Sequence, residues 1–204
     1  MGCDIHMRVE FLPYSYKETK PGWADGDYYA RNRFYEEDED ETAFNKKFDV
    51  VEIYGSRNYA LFAQLADVRN DGLIEPISEP KGAPTDCNED LRKEIEDWSM
   101  DGHSFSYFTL KELIEWHEQS DHIVKYKGMI SPEAARQLDE EGKTPDMWCG
   151  YTTCKDWVFR EWSEKVDFIG PIIERLKKRA EELFYTKYKD ELAERIRIVF
   201  WFDN

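Results

Sequence analysis

The sequence predicts an α+β fold: a small, mainly antiparallel sheet including the N- and C-terminal strands, with inserted helices packed on it. Three observations predict it. The chain opens on an alternating stretch, with Ile5, Met7, Val9 and Phe11 on one side and Asp4, His6, Arg8 and Glu10 on the other. That period of two is the pattern of a half-buried strand. It closes on a β-branched and aromatic run over 196–203. Between these ends, apolar positions recur at helical spacing behind Ser, Thr and Asn caps. Few, separated strands with helices between them read as one sheet carrying helices on one side.

The elements follow in order. The first strand covers residues 3–11. A polar, aromatic stretch over 13–42 comes next, with Pro21-Gly22 and Asp25-Gly26 as turns. A second strand is expected at 48–54, ended by Gly55. Ser56 is the expected cap of a helix over 57–69, with Leu61, Phe62, Leu65, Ala66 and Val68 inward, and Asn70-Asp71-Gly72 stops it. Residues 73–87, with Pro76, Pro80 and Pro84, read as an ordered loop. Asn88 caps a short helix ending near Trp98, and Asp101-Gly102-His103-Ser104 is a turn. Thr109 with Glu112 forms a capping box for a helix through His117. Ser131-Pro132 opens another helix, which Gly142 ends. The segment 156–168 reads as helical. Pro171 then starts a long amphipathic helix with Ile172, Ile173, Leu176, Ala180, Leu183 and Phe184 on one stripe. Pairing the outer strands ties down both termini. It also brings Arg197 near the acids of the first strand and Asp203 near Asp4. One domain is expected over 1–204, with a helical subdomain at about 109–193.

Composition narrows the function. The net charge of −16 argues against sequence-independent binding of DNA or RNA, which needs phosphate neutralisation. It favours a cationic or metal-bound ligand, or a basic protein partner. The run Glu36-Glu37-Asp38-Glu39-Asp40-Glu41 reads as a solvated loop. No leader and no transmembrane span is evident, so a cytoplasmic protein with reduced thiols and no membrane partner is expected. Cys149 and Cys154 lack a second pair or a nearby histidine to complete a zinc knuckle, and read as buried small side chains. The oligomeric state is not encoded in any pattern here.

Several side chains carry candidate chemistry. Asp4 and His6, two apart on a strand, can take adjacent positions on one divalent ion (Zn, Mn or Mg). Asp-x-His also opens the metallophosphoesterase pattern, but the rest of that pattern is missing. Asp101 and His103 repeat the spacing, so His103 is a third candidate ligand, through an imidazole nitrogen, and Ser104 a phosphate contact. Asp203, placed beside Asp4 by antiparallel pairing, is the fourth candidate ligand. Arg57 and Asn58 lie in a helical first turn that ordinarily prefers acids, and can clamp a phosphate or carboxylate. His117 and His122 stand five apart, on different helix faces, and fail the zinc-protease motif. Nothing marks Cys3 as an activated nucleophile.

Taken together, several blocks resemble a family of uncharacterised proteins of tailed phages and gut bacteria. They are Met1-Gly2-Cys3-Asp4-Ile5-His6, Arg57-Asn58-Tyr59 continuing into Leu61-Phe62 and Ala66-Asp67-Val68-Arg69, His103-Ser104 before Ser106-Tyr107-Phe108-Thr109-Leu110, and Val199-Phe200-Trp201-Phe202-Asp203-Asn204. The resemblance covers both ends and the middle blocks, with 120–195 variable. It implies an intracellular accessory protein acting in infected bacteria and no assigned activity.

The leading expectation is a metal-dependent hydrolase of a phosphoester or nucleotide. Asp4, His6, His103 and Asp203 would hold the ion, His6 and His103 would take part in catalysis, and Arg57, Asn58, Arg69 and Ser104 would bind substrate. A second expectation is a binding protein that sequesters a small nucleotide signal through Arg57, Arg69 and aromatic rings, without turnover. A third is an acidic interaction protein that blocks a basic host partner.

Overall fold

A computed structural model describes residues 2–15, 21–38, 45–70 and 73–203. In chain order it begins with β1 (Asp4–Phe11), β2 (Ala24–Asp25), β3 (Tyr28–Arg31) and β4 (Phe48–Val51), then α1 (Tyr59–Ala66) and α2 (Glu89–Asp97). A short 3-10 turn (Trp98–Met100) leads into β5 (His103–Thr109), α3 (Leu110–Gln119), β6 (Ile123–Ile130), α4 (Pro132–Glu141) and β7 (Val158–Lys165). The chain finishes with α5 (Gly170–Phe184), a second 3-10 turn (Asp190–Leu192) and β8 (Ile196–Asp203).

The central sheet has the order β2-β1-β8-β5, and every pairing in it is antiparallel. The α+β class and the pairing of the terminal strands are as the sequence predicts: Asp4 lies opposite Asp203 and Glu10 opposite Arg197. Ile5, Met7 and Val9 of β1 and Ile198, Phe200 and Phe202 of β8 share one face. Phe62 and Leu65 of α1, Leu113 of α3, and Ile172 and Leu176 of α5 close over that face as the main core.

The expectation of helices on one side is corrected. Val199 and Trp201 on the opposite face are buried under Leu91, Ile95 and Trp98 from α2 and the turn after it. The reason lies in β8, where seven consecutive residues are buried. A strand apolar on both faces must be covered on both. On this second face a buried ion pair fastens the start of α2. The Arg197 Nε donates to Glu10 at 2.8 Å and its Nη1 to Asp86 at 2.9 Å, while the backbone and side-chain N–H groups of Asn88 donate to the other Glu10 oxygen.

Other boundaries move for physical reasons. Segment 156–168 is not a helix but holds β7, whose Val158, Arg160, Trp162 and Glu164 alternate inward and pair with β6. Tyr126 and Trp162 stack at 5.7 Å across that hairpin, a cross-strand contact invisible to local periodicity. Stretch 109–193 is therefore not purely helical: α3 and α5 join the main core, whereas β6, α4 and β7 share a smaller cluster around Ile130, Ala135 and Trp162. The expected strand over 48–54 stops at Val51. Asn58, not Ser56, caps α1, and the helix ends at Asp67 in a left-handed conformation rather than at Asn70. The caps at Asn88, Thr109–Glu112, Ser131 and Gly142 form as expected. Cys149 is half-buried and Cys154 exposed, so neither is the core side chain expected. Glu36, Glu37 and Asp38 are exposed; the rest of the acidic run and Asp71-Gly72 lie outside the described residues.

Candidate functional site at the end of the central sheet

Three strand ends meet at one edge of the sheet. Asp4 begins β1 opposite Asp203, and His103 begins β5 opposite Phe202. The Asp4 N–H donates to Asp203 Oδ1 at 3.1 Å. Helix α1 brings its N-terminus to the same edge, because its apolar stripe seats it on the core face. There the Tyr59 hydroxyl accepts the Cys3 N–H at 3.3 Å.

Two guanidinium groups flank residues 2–4. Arg57 forks onto Asp4, with Nε to Oδ1 at 2.9 Å and Nη2 to Oδ2 at 2.6 Å. That bond holds the Asp4 carboxyl below its usual range. Gly2 leaves room for the arrangement, since a Cβ there would run into the Arg57 guanidinium. Arg69 follows α1 in a left-handed conformation, φ 56°. Its guanidinium lies 5.9 Å from the Tyr59 ring and close enough to Cys3 to draw its thiol's pKa down. Burial pushes that thiol up by more than Arg69 lowers it. The net direction keeps Cys3 in the thiol form at neutral pH.

His6 lies on the face of β1 away from the main core, against the rings of Trp98 at 4.3 Å and Trp201 at 5.4 Å, which themselves stand 6.4 Å apart. Its Nε2 stands 3.4 Å from Asp203 Oδ2 and its Nδ1 3.9 Å from Glu52 Oε1. Both ring nitrogens thus face carboxylates. Glu52 also accepts from Arg8, which forks onto Glu94.

His103 does not join His6. Strict alternation along β5 would place it on the Trp201 face with Phe105, but the register slips by one residue between His103 and Ser106. Ser104, at φ 51°, is the bulge. The extra residue turns His103 to the face of Phe202, where the rings stack at 6.0 Å. Its Nδ1 bonds Ser104 Oγ at 3.0 Å, and its buried Nε2 has no hydrogen-bond partner among the described residues.

The expected ion ligands Asp4, His6, His103 and Asp203 therefore reach one end of the sheet but not one point. Among the described residues, no three of them bring ligand atoms within 4.8 Å of one another. Asp4 is held by Arg57, and the bulge puts His103 across the sheet. The substrate-binding set divides in the same way. Arg57 and Arg69 flank the edge, whereas Asn58 accepts from the Ala60 and Leu61 N–H groups as a helix cap, and Ser104 turns to His103. Tyr59, Glu52 and Trp98 belong to the site and were not anticipated. Tyr59 adjoins Arg57-Asn58 in sequence; Glu52 and Trp98 are brought in only by pairing and packing.

Comparison of the chain with protein-family models, with curated proteins and with solved structures finds no match. Among the described residues, no helix is long and apolar enough to cross a membrane.

Proposed function

We propose that the protein binds a small phosphorylated ligand at this sheet edge through Arg57 and Arg69, without turning it over. The observation that carries the reading is the pair of guanidinium groups around residues 2–4, at the start of a helix with no acid in its first turn. In a chain of net charge −16, two guanidinium groups meet here beside the carboxylates of Asp4 and Asp203, so the charge at this edge is balanced rather than acidic. Arg57 and Asp4 are each about half exposed (50% and 52%). An ion pair that open to water contributes little, so a phosphate dianion can take the Arg57 fork from Asp4. Tyr59, 40% exposed beside Arg69, offers a ring on which a nucleobase can stack. Hydrolysis with the ligand set expected from sequence is the weaker reading, because it needs an ion that Asp4, His6, His103 and Asp203 do not converge to hold. Sequestration without turnover also suits the accessory role that the phage-family resemblance implies.

Titration calorimetry with pyrophosphate and a panel of nucleoside mono- and diphosphates tests this, followed by mass spectrometry of the recovered ligand. Arg57→Ala and Arg69→Ala should each weaken binding by about tenfold or more, with the ligand returned intact. Equal affinity in the double variant would refute the site. A dephosphorylated product would restore the hydrolase reading and make His6 and Asp203 the next residues to substitute.

A further inference from the structure

A second cluster lies away from the sheet edge, where α3 ends, β6 begins and β7 passes into α5. His117 occupies the last turn of α3. Three residues beyond the end of that helix the chain reverses at His122, which takes a left-handed conformation at φ 58°. The reversal cancels the five-residue spacing that separates two histidines along a continuous helix, and the imidazole centroids stand 4.4 Å apart. Asp167, in the connection before α5, completes the group: its Oδ2 lies 2.9 Å from His117 Nε2, while its Oδ1 accepts the Gly170 N–H. One ligand atom from each residue falls within 4.8 Å of the other two. Donors bound to one tetrahedral zinc ion stand about 3.3 Å apart, so a small inward movement suffices.

We propose that His117, His122 and Asp167 hold a divalent transition-metal ion, zinc foremost, with one coordination position left to solvent. Three further observations bear on this. Among the described residues, the buried Nδ1 of His122 has no hydrogen-bond partner, which leaves it a costly orphan in the metal-free arrangement. His117 and Asp167 line a cavity of about 410 Å³ that has room for water or an exogenous ligand at the fourth position. Glu118 and Glu174 line the same cavity, and its Lys177 is paired with Glu174 at 2.9 Å, so the field there favours a cation. Two imidazoles and a carboxylate suit zinc and its transition-metal neighbours; calcium and magnesium prefer all-oxygen sets. The ion would tie the β6–β7 hairpin to the α3–α5 layer. The site is independent of the phosphate-binding reading.

The test uses full-length, tag-free protein dialysed against zinc, with cobalt absorption spectroscopy as a second probe of the ligand set. One zinc per chain is expected, together with the visible bands of a low-coordinate cobalt site and a higher melting temperature with zinc present. His117→Ala should weaken zinc binding by about tenfold or more. His122→Asn, which tolerates the left-handed backbone, should do the same. So should Asp167→Asn, whose amide oxygen can still accept the Gly170 N–H. No zinc on the wild type would overturn the proposal whatever the variants do. Undiminished zinc in the His117→Ala/His122→Asn double variant would overturn it as well, and would point to the cysteines instead.

Discussion

Burial pushes the Asp27 carboxyl from its ordinary 3.8 up to about 7, against the backbone N–H of Val9 and the charge of Arg8, which pull it down. Asp27 is 8% exposed and accepts the Val9 N–H at 2.8 Å. The folded chain therefore keeps a proton there up to about pH 7, whereas the unfolded chain releases it near pH 4. Between those values the fold binds the extra proton, so this residue's contribution to stability falls as pH rises. Asp27→Asn keeps an acceptor for Val9 and removes the ionisation. Its gain over the wild type in urea unfolding should be near zero at about pH 4 and reach roughly 1–3 kcal/mol at about pH 8. A gain that does not vary with pH would contradict this account. The facing of individual side chains was readable in the sequence where alternation is unbroken, as for Asp4, His6, Arg8 and Glu10. It was not readable for His103, where one inserted residue reverses the face.

At the scale of the element, the bulge in β5 is held by a non-glycine residue in left-handed backbone. Ser104→Val should cost about 1–3 kcal/mol, because a β-branched side chain is poorly accommodated at φ 51°. Ser104→Gly relieves the backbone but loses the bond to His103, and should change stability by less than about 1 kcal/mol. Thermal unfolding of the two variants checks this; equal stability would mean that the bulge relaxes at no cost. Helix starts were legible at Asn88, Thr109 and Ser131, because side-chain capping is local chemistry, whereas at α1 the neighbouring Ser56 offered a competing cap to Asn58. The strand β7 was not, since its polar alternation becomes a sheet only through β6, with Trp162 stacked on Tyr126.

At the scale of the whole molecule, the net charge of −16 acts against compaction, because the folded chain holds these charges closer together. Screening should relieve that repulsion. The melting temperature is expected to rise by roughly a few degrees between about 20 and 200 mM sodium chloride. A fall would mean that the surface ion pairs outweigh the repulsion. By itself the sequence determined the α+β class, the antiparallel pairing of the two ends, the face of β1 that enters the core and the approach of Asp203 to Asp4. These follow from period-two patterning at the two ends, from helical spacing between them and from the need to bury apolar faces. Only the tertiary structure decided which polar side chains meet. It placed helices on both faces of the sheet, set His103 across the sheet from His6, and brought His117 and His122 together with Asp167. Each of these turns on a single bulge, chain reversal or packed layer, and shifting one residue there redirects a side chain without altering the local pattern that sequence reading uses.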